Sequence, residues 1–183
     1  MLNNKHLIFF LLLLTIAFSC TQPSHEILFK RERDKRVHSA LRNFKAVMEI
    51  KGYRTAGVGE GIDHSTGKQN YLGITFDIEK LPNIDFARKV EIEALQEFLI
   101  YINKEEGIQD YVAEYPYPLK FVHIAFISRN RESGLFSVAN SSREEIYYLE
   151  DDPKMPFGGP LKEVHRESYA EAVRILVQQG VLE

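Results

Sequence analysis

A single cysteine, Cys20, constrains what this chain can fold into more than any other feature of the sequence. It stands where an apolar run ends and a polar stretch begins. One cysteine cannot form an internal disulfide, so the rest of the chain must be held together by a hydrophobic core alone. The 163 residues that follow it, out of 183, are enough for such a core. A composition of 44% hydrophobic and 27% charged residues fits one globular domain.

The first 19 residues have the composition of an export signal. Lys5 precedes an apolar run over residues 7–18 that only Thr15 interrupts, and Ser19 comes directly before Cys20. As a helix, this run would rise about 18 Å, well short of the roughly 30 Å of hydrocarbon in a bilayer. The pattern therefore disfavours a permanent transmembrane helix and predicts that residues 1–19 are a signal peptide.

The segment Ala17, Phe18, Ser19 and Cys20 resembles the lipobox of bacterial lipoproteins, whose cysteine is acylated on its thiol and becomes the first residue. Ser19 fits the small residue before the cysteine, whereas Ala17 replaces the usual Leu, Val or Ile and Phe18 is bulky. The resemblance implies lipidation of Cys20 and anchoring in the cell envelope. Because no Asp follows the cysteine, it implies the outer membrane rather than the inner one. Secretion after cleavage behind Ser19, and an uncleaved anchor, are the alternatives.

Residues 20–36 are predicted to be a lipidated tether and the charged start of a helix, and residues 37–183 a single domain. Every residue from 30 to 36 is charged, which favours either a solvated helix face or a stalk at the membrane surface. Val37, Leu41, Phe44 and Met48 then recur at helical spacing, which indicates an amphipathic helix. Gly52 is predicted to end it.

The remaining pattern alternates between the periods of strands and of helices. Residues 53–62 and 69–79 predict a hairpin, residues 87–102 a helix, and residues 121–128, 135–138 and 145–150 three further strands. Ser168 and Glu171 form a capping box before the last helix, which Gly180 ends. The order predicts an α+β fold, with a mostly antiparallel sheet of about five strands and three helices packed largely on one face.

Three segments of the domain resemble small uncharacterised envelope proteins of chlamydia-like and Legionella-type bacteria. They are the strand of residues 57–61 with glycine at every second position, the helix end at residues 101–103, and the stretch that begins at residue 114. None of them is a chemical signature. The resemblance implies an envelope protein and supplies no catalytic residue.

Two motifs suggest a phosphate-binding or a catalytic site. Gly57, Gly59 and Gly61 suggest a phosphate loop, but such a loop requires a helix directly after it, and here a second strand follows. Close approach of another group to a glycine-lined strand is the better interpretation. Asp63 and His64 lie together in a turn, where turn chemistry explains them better than a catalytic chain of hydrogen bonds.

The histidines do not have the spacing of a metal site. The best local cluster is Glu163, His165 and Glu167, which we interpret as an exposed polar lead-in to the last helix. His123, inside an apolar strand, is expected to be a hydrogen-bonded core or face residue. We expect no metal and no cofactor.

The net charge and the aromatic residues indicate which kinds of partner the domain could bind. Behind Cys20 there are 26 acidic residues against 22 basic ones, because Lys5 is the one charged residue before it, so a nucleic-acid partner is not expected. Tyr115, Tyr117, Tyr147 and Phe157 either cap the core or form an aromatic surface for a protein or glycan.

The sequence favours a non-catalytic envelope lipoprotein that binds or scaffolds another envelope component. The alternative is an anchored hydrolase acting on cell-wall or peptide material, with His64 and Asp63 as its catalytic pair.

Overall fold

The computed structural model describes residues 24–130, 135–151 and 161–182. In chain order these ranges contain helix α1 (His25–Ile50), strands β1 (Arg54–Ile62) and β2 (Gln69–Ile78), helix α2 (Ile84–Lys104), strands β3 (Val122–Ser128), β4 (Ser137–Asn140), β5 (Glu145–Glu150) and β6 (Lys162–Ser168), and helix α3 (Tyr169–Gln178). Single 3-10 turns cover Ile108–Asp110 and Leu119–Phe121. The predicted signal peptide, Cys20 and Phe157 lie outside the described residues.

The strands form one six-stranded sheet in which their order in space is their order in the chain. All neighbouring pairs are antiparallel except β2 and β3, which are parallel. Parallel neighbours cannot be joined by a tight turn, so the chain crosses over the sheet through α2. The predicted α+β class, with a mostly antiparallel sheet, is confirmed.

Strand β6 occupies the place where the sequence predicts an exposed polar lead-in, so the sheet has six strands rather than about five. Its Arg166 pairs with Tyr147 of β5 and its His165 with Tyr148. The strand is hard to recognise because charged side chains follow both of its faces, and period-two apolar alternation is absent. Its backbone pairing with β5, rather than an alternating side-chain pattern, identifies it as a strand.

The hydrophobic core lies between one face of the sheet and the helices. Phe44 of α1 meets Phe76 of β2 edge-on, with ring centroids 5.8 Å apart, and Phe98 of α2 at 5.2 Å. Phe76 in turn stacks on Phe126 of β3 at 5.5 Å, and α3 adds Leu176. All four rings are fully buried. Truncating one of them to alanine typically costs about 3–5 kcal/mol.

The helix ends follow the predicted signals. Gly52, two residues after the end of α1, has φ +90° and Gly180, two residues after the end of α3, has φ +68°, which are left-handed conformations that favour glycine. At the start of α3 the Ser168 hydroxyl accepts a hydrogen bond from the Glu171 amide at 3.1 Å. This bond is the serine half of the predicted capping box.

The charged start of α1 contacts the domain. The Phe29 ring lies 5.0 Å from that of Tyr111, and the Arg33 guanidinium donates to the Gly67 carbonyl at 2.6 Å. Arg33 is only 5% exposed. From residue 29 onward the helix is therefore a packed part of the domain and does not project from it as a stalk.

Candidate functional site

A groove runs between helix α1 and strand β1, and we call it the α1–β1 groove. Its volume is about 520 Å³. It is lined by His38, Leu41, Arg42, Lys45, Ala46, Glu49, Val58 and Glu60. The groove is open to solvent, since Arg42, Ala46 and Glu49 of the helix are exposed and Val58 of the strand is 46% exposed.

The groove lies where α1 passes beside β1. Phe44 of α1 packs on Phe76 of β2, which turns the neighbouring face of the helix toward β1. That face carries His38, Arg42 and Glu49 at helical spacing. Val58, although it lies on the same face of the sheet as the core, is left 46% exposed.

Two cations of the groove have no partner among the residues that the structure describes. At one end His38 Nε2 lies 3.0 Å from the Glu60 carboxylate, in a partly exposed pair that contributes at most about 1 kcal/mol. Toward the middle, neither Arg42 nor Lys45 makes an ion pair or side-chain hydrogen bond within the described residues. Apolar groups, including Val58, lie beside them. The groove is therefore suited to a ligand that carries an anionic group beside an apolar group.

The predicted aromatic residues do not form one surface. Tyr117 is 1% exposed and its hydroxyl donates to the Phe121 carbonyl at 3.4 Å, so it caps the core. Tyr115 is 53% exposed and donates to the Asn103 carbonyl at 3.2 Å, near the end of α2. Tyr147 lies on the opposite face of the sheet from the core, with the Arg166 guanidinium 4.7 Å from its ring centroid. The two tyrosines with accessible rings lie on different elements.

Asp63 and His64 lie in the turn between β1 and β2. Asp63 Oδ1 accepts hydrogen bonds from the Ser65 amide at 2.8 Å, the Ser65 hydroxyl at 2.6 Å and the Thr66 amide at 3.3 Å. The Ser65 hydroxyl is the main reason why the pKa of Asp63 is lowered. The carboxylate therefore holds the turn, as turn chemistry predicts. His64 is exposed beside it.

The glycines of β1 accommodate a side chain from the next strand. A Cβ added at Gly61 would lie 2.8 Å from the Tyr71 Cβ, and one at Gly59 would lie 3.5 Å from the Tyr71 ring. The Tyr71 ring also stacks on His123 of β3, with centroids 6.4 Å apart. The predicted close approach to a glycine-lined strand is confirmed, and His123 is a half-buried residue of the sheet face.

The Glu163, His165 and Glu167 cluster is divided between the two faces of β6. A register shift at this point lets Glu163 pair with Arg166, whereas His165 lies against the Tyr148 ring at 5.3 Å. Within the described ranges, no group of three or more His, Cys, Asp and Glu side chains converges as a metal site would require.

A buried polar cluster joins α2 to β5 and β6. Arg88 Nε donates to Glu167 Oε1 at 2.8 Å, and the Tyr148 hydroxyl donates to the same oxygen. The side chains of Arg88 and Glu167 are 6% and 4% exposed. Burial is the main reason why the pKa of Tyr148 is raised, and its bond to Glu167 adds to the effect. This cluster stabilises the contact of α2 with the end of the sheet.

Glu91 lies one turn further along α2 and is fully buried. Among the described residues, neither of its carboxylate oxygens has a hydrogen-bond partner. Sequence reasoning missed this residue, although a signal was present. Glu91 falls on the apolar stripe of α2, four residues after Ala87 and three before Ala94, where a carboxylate is unusual.

The chain matches no protein-family profile, no curated protein and no solved structure at a significant level. The resemblances of the signal segment and of the domain therefore stay predictions. None of the helices in the described ranges is both long enough and apolar enough to cross a bilayer.

Proposed function

We propose that this chain is a lipid-anchored envelope protein that binds another envelope component in the α1–β1 groove and does no chemistry on it. The observation that carries the proposal is the pair Arg42 and Lys45, two cations without partners in the described residues, beside the apolar wall at Val58. Binding sites usually combine apolar side chains with convergent polar groups. Leu41, Ala46 and Val58 line this groove together with the polar His38, Glu49 and Glu60.

The location follows from the sequence around Cys20. If Cys20 carries the lipid, the four residues 21–24 can span at most about 14 Å before α1 begins at His25. The first turns of α1 would then lie near the bilayer. Ile27 and Leu28 are 46% and 48% exposed there, next to the basic Lys30, a combination that suits a lipid surface. We propose the outer membrane as the site of anchoring.

The groove would stand away from that surface. At 1.5 Å per residue, His38 lies about 20 Å and Glu49 about 36 Å along α1 from His25. A partner in the envelope could reach the groove while the first turns of the helix stay at the membrane. α1 would thus set the distance between anchor and binding site.

Anchoring is tested by the intact mass of the protein from its native host. We expect a chain that begins at Cys20 and carries acyl groups, and a Cys20→Ser variant without them. An unmodified chain would place the protein outside the membrane and remove the anchor from the proposal.

Binding in the groove is tested by photo-crosslinking in intact cells. A photoreactive amino acid placed at Ala46, which is exposed and lines the groove, should form a discrete adduct that mass spectrometry identifies. The matched control is Ile50, one turn further along the same helix, which is 86% exposed and does not line the groove. Equal adducts at both positions, or none at Ala46, would count against the groove as the binding site.

A further inference from the structure

Strand β1 is an edge of the sheet, and its outer side pairs with no other strand in the described part of the chain. Edge strands expose backbone N–H and C=O groups, and proteins normally protect them with charged side chains or proline. The other edge strand follows this rule, since five of the seven residues of β6 are Lys, Glu, His or Arg. β1 has two charged residues in nine, Arg54 and Glu60, and no lysine or proline.

The middle of β1 pairs regularly with β2 and carries no side chains of its own on one face of the sheet. Its pairing with β2 is continuous from Gly57 to Gly61, and the register shifts lie at either end of this segment. On the face of the sheet opposite the helices every residue in it is glycine. Glycine within a strand often marks a place where another backbone approaches closely. A second chain that pairs with the edge therefore meets no β1 side chain on that face, where the Tyr71 ring of β2 lies beside Gly59 and Gly61 and nothing lies within 4 Å of Gly57.

The same segment forms a wall of the α1–β1 groove. Val58 and Glu60 point to the helix side, where Glu60 meets His38. A strand added about 4.8 Å beyond β1 would direct every second side chain into the groove. The length of such a strand also matches the length of the groove. Five residues of a strand span roughly 16 Å, and α1 rises by roughly 16 Å over the eleven residues from His38 to Glu49.

We propose that the occupant of the groove is an extended segment of a partner protein that adds as a strand to the outer edge of β1. Backbone hydrogen bonds to residues 57–61 hold the segment in register. One of its acidic side chains lies opposite Arg42 and Lys45, and an apolar side chain two positions away contacts Val58. The inference rests on the proposed function of the groove and adds the mode of binding and the class of partner. It is binding by strand addition.

The test uses phage-displayed random decapeptides selected on the full-length chain in detergent micelles. We expect enrichment of peptides with an acidic residue two positions from an apolar one. The double variant Arg42→Glu, Lys45→Glu should bind the best peptide at least about tenfold more weakly, because the cations become like charges. Arg31→Glu, an exposed charge reversal on the same helix outside the groove, should leave affinity unchanged within about twofold. Circular dichroism melts confirm that the variants are folded.

Strand addition is tested separately by methylating each backbone nitrogen of the best peptide in turn. Because alternate N–H groups of a strand face its neighbour, methylation should weaken binding by about tenfold at every second position and hardly at all between them. If methylation weakens binding without this two-residue period, while the Arg42→Glu, Lys45→Glu variant still binds the peptide more weakly, strand addition is wrong and the groove remains the binding site.

Two other outcomes would contradict the proposed occupant of the groove. If no peptide is enriched over the unselected library, both the mode of binding and the peptide class of ligand fail. If sedimentation shows a dimer of the chain that Val58→Asp abolishes, the occupant of the edge is a second copy and not a separate partner.

Discussion

Replacing Glu91 by glutamine should flatten the pH dependence of folding stability. Glu91 is 0% exposed, and within the described residues its carboxylate has no hydrogen-bond partner. Burial raises the pKa of Glu91 well above its ordinary value of 4.5, and the Asn140 backbone, which approaches the carboxylate without hydrogen-bond geometry, offsets only part of this effect. The native protein therefore keeps the Glu91 proton at a pH where the unfolded chain has released it.

The sign and size of the effect follow from proton linkage. Below about pH 4.5 both states are protonated, so Glu91 carries no ionisation penalty. Above it the native state binds more protons than the unfolded state, so stability falls by about 1.4 kcal/mol per pH unit for as long as native Glu91 stays protonated. Between pH 5 and pH 7 the native protein thus loses up to about 2.7 kcal/mol from this one group. Glutamine has nearly the same shape and no such loss.

The assay is urea unfolding of the native protein and the Glu91→Gln variant at pH 5, 6 and 7. Other groups titrate equally in both proteins, so the difference between the two curves isolates Glu91. The matched control is Glu93→Gln on the same helix, whose replaced side chain is 35% exposed and pairs with Lys89, and it should run parallel to the native protein. If Glu91→Gln also runs parallel, Glu91 is ionised and solvated in the native state, and the reasoning from its burial is wrong.

Two further substitutions test the packing of the sheet. Arg88→Ala should destabilise the fold by about 3–5 kcal/mol, because it leaves the Glu167 carboxylate buried without its cation, and chemical denaturation measures this loss. Gly61→Ala should cost about 1–3 kcal/mol, because the new Cβ would lie 2.8 Å from the Tyr71 Cβ. Gly57→Ala, with nothing within 4 Å, should be neutral or slightly stabilising, and equal effects on the melting temperature would contradict this account.

The sequence could predict those elements in which the pattern of neighbouring residues reflects which side chains are buried. β2 alternates because one of its faces meets the core, so Leu72, Ile74 and Phe76 are all buried. The turn before it is fixed by Asp63, whose carboxylate binds amides two and three residues away. Such signals need no knowledge of distant parts of the chain, and here they gave the hairpin within one or two residues.

The buried polar cluster and β6 could not be predicted in the same way. Arg88 and Glu167 are 79 residues apart, and each has the charge and local context of an exposed residue. Only the pairing of β6 with β5 brings them together and excludes water. The α1–β1 groove has the same origin, since it depends on the line along which α1 crosses the sheet.

Helix α1 carries two adjacent faces with different roles, and this makes stability and binding separable by experiment. One face buries Val37, Phe44 and Met48 in the core, so its substitutions should change the free energy of unfolding. The next face presents Arg42 and Lys45 to the groove, where both side chains reach solvent. Because surface charges contribute little to folding, changes at these two positions should alter binding at nearly constant stability. Loss of binding that always accompanied loss of stability would mean that the groove is only a by-product of how α1 packs.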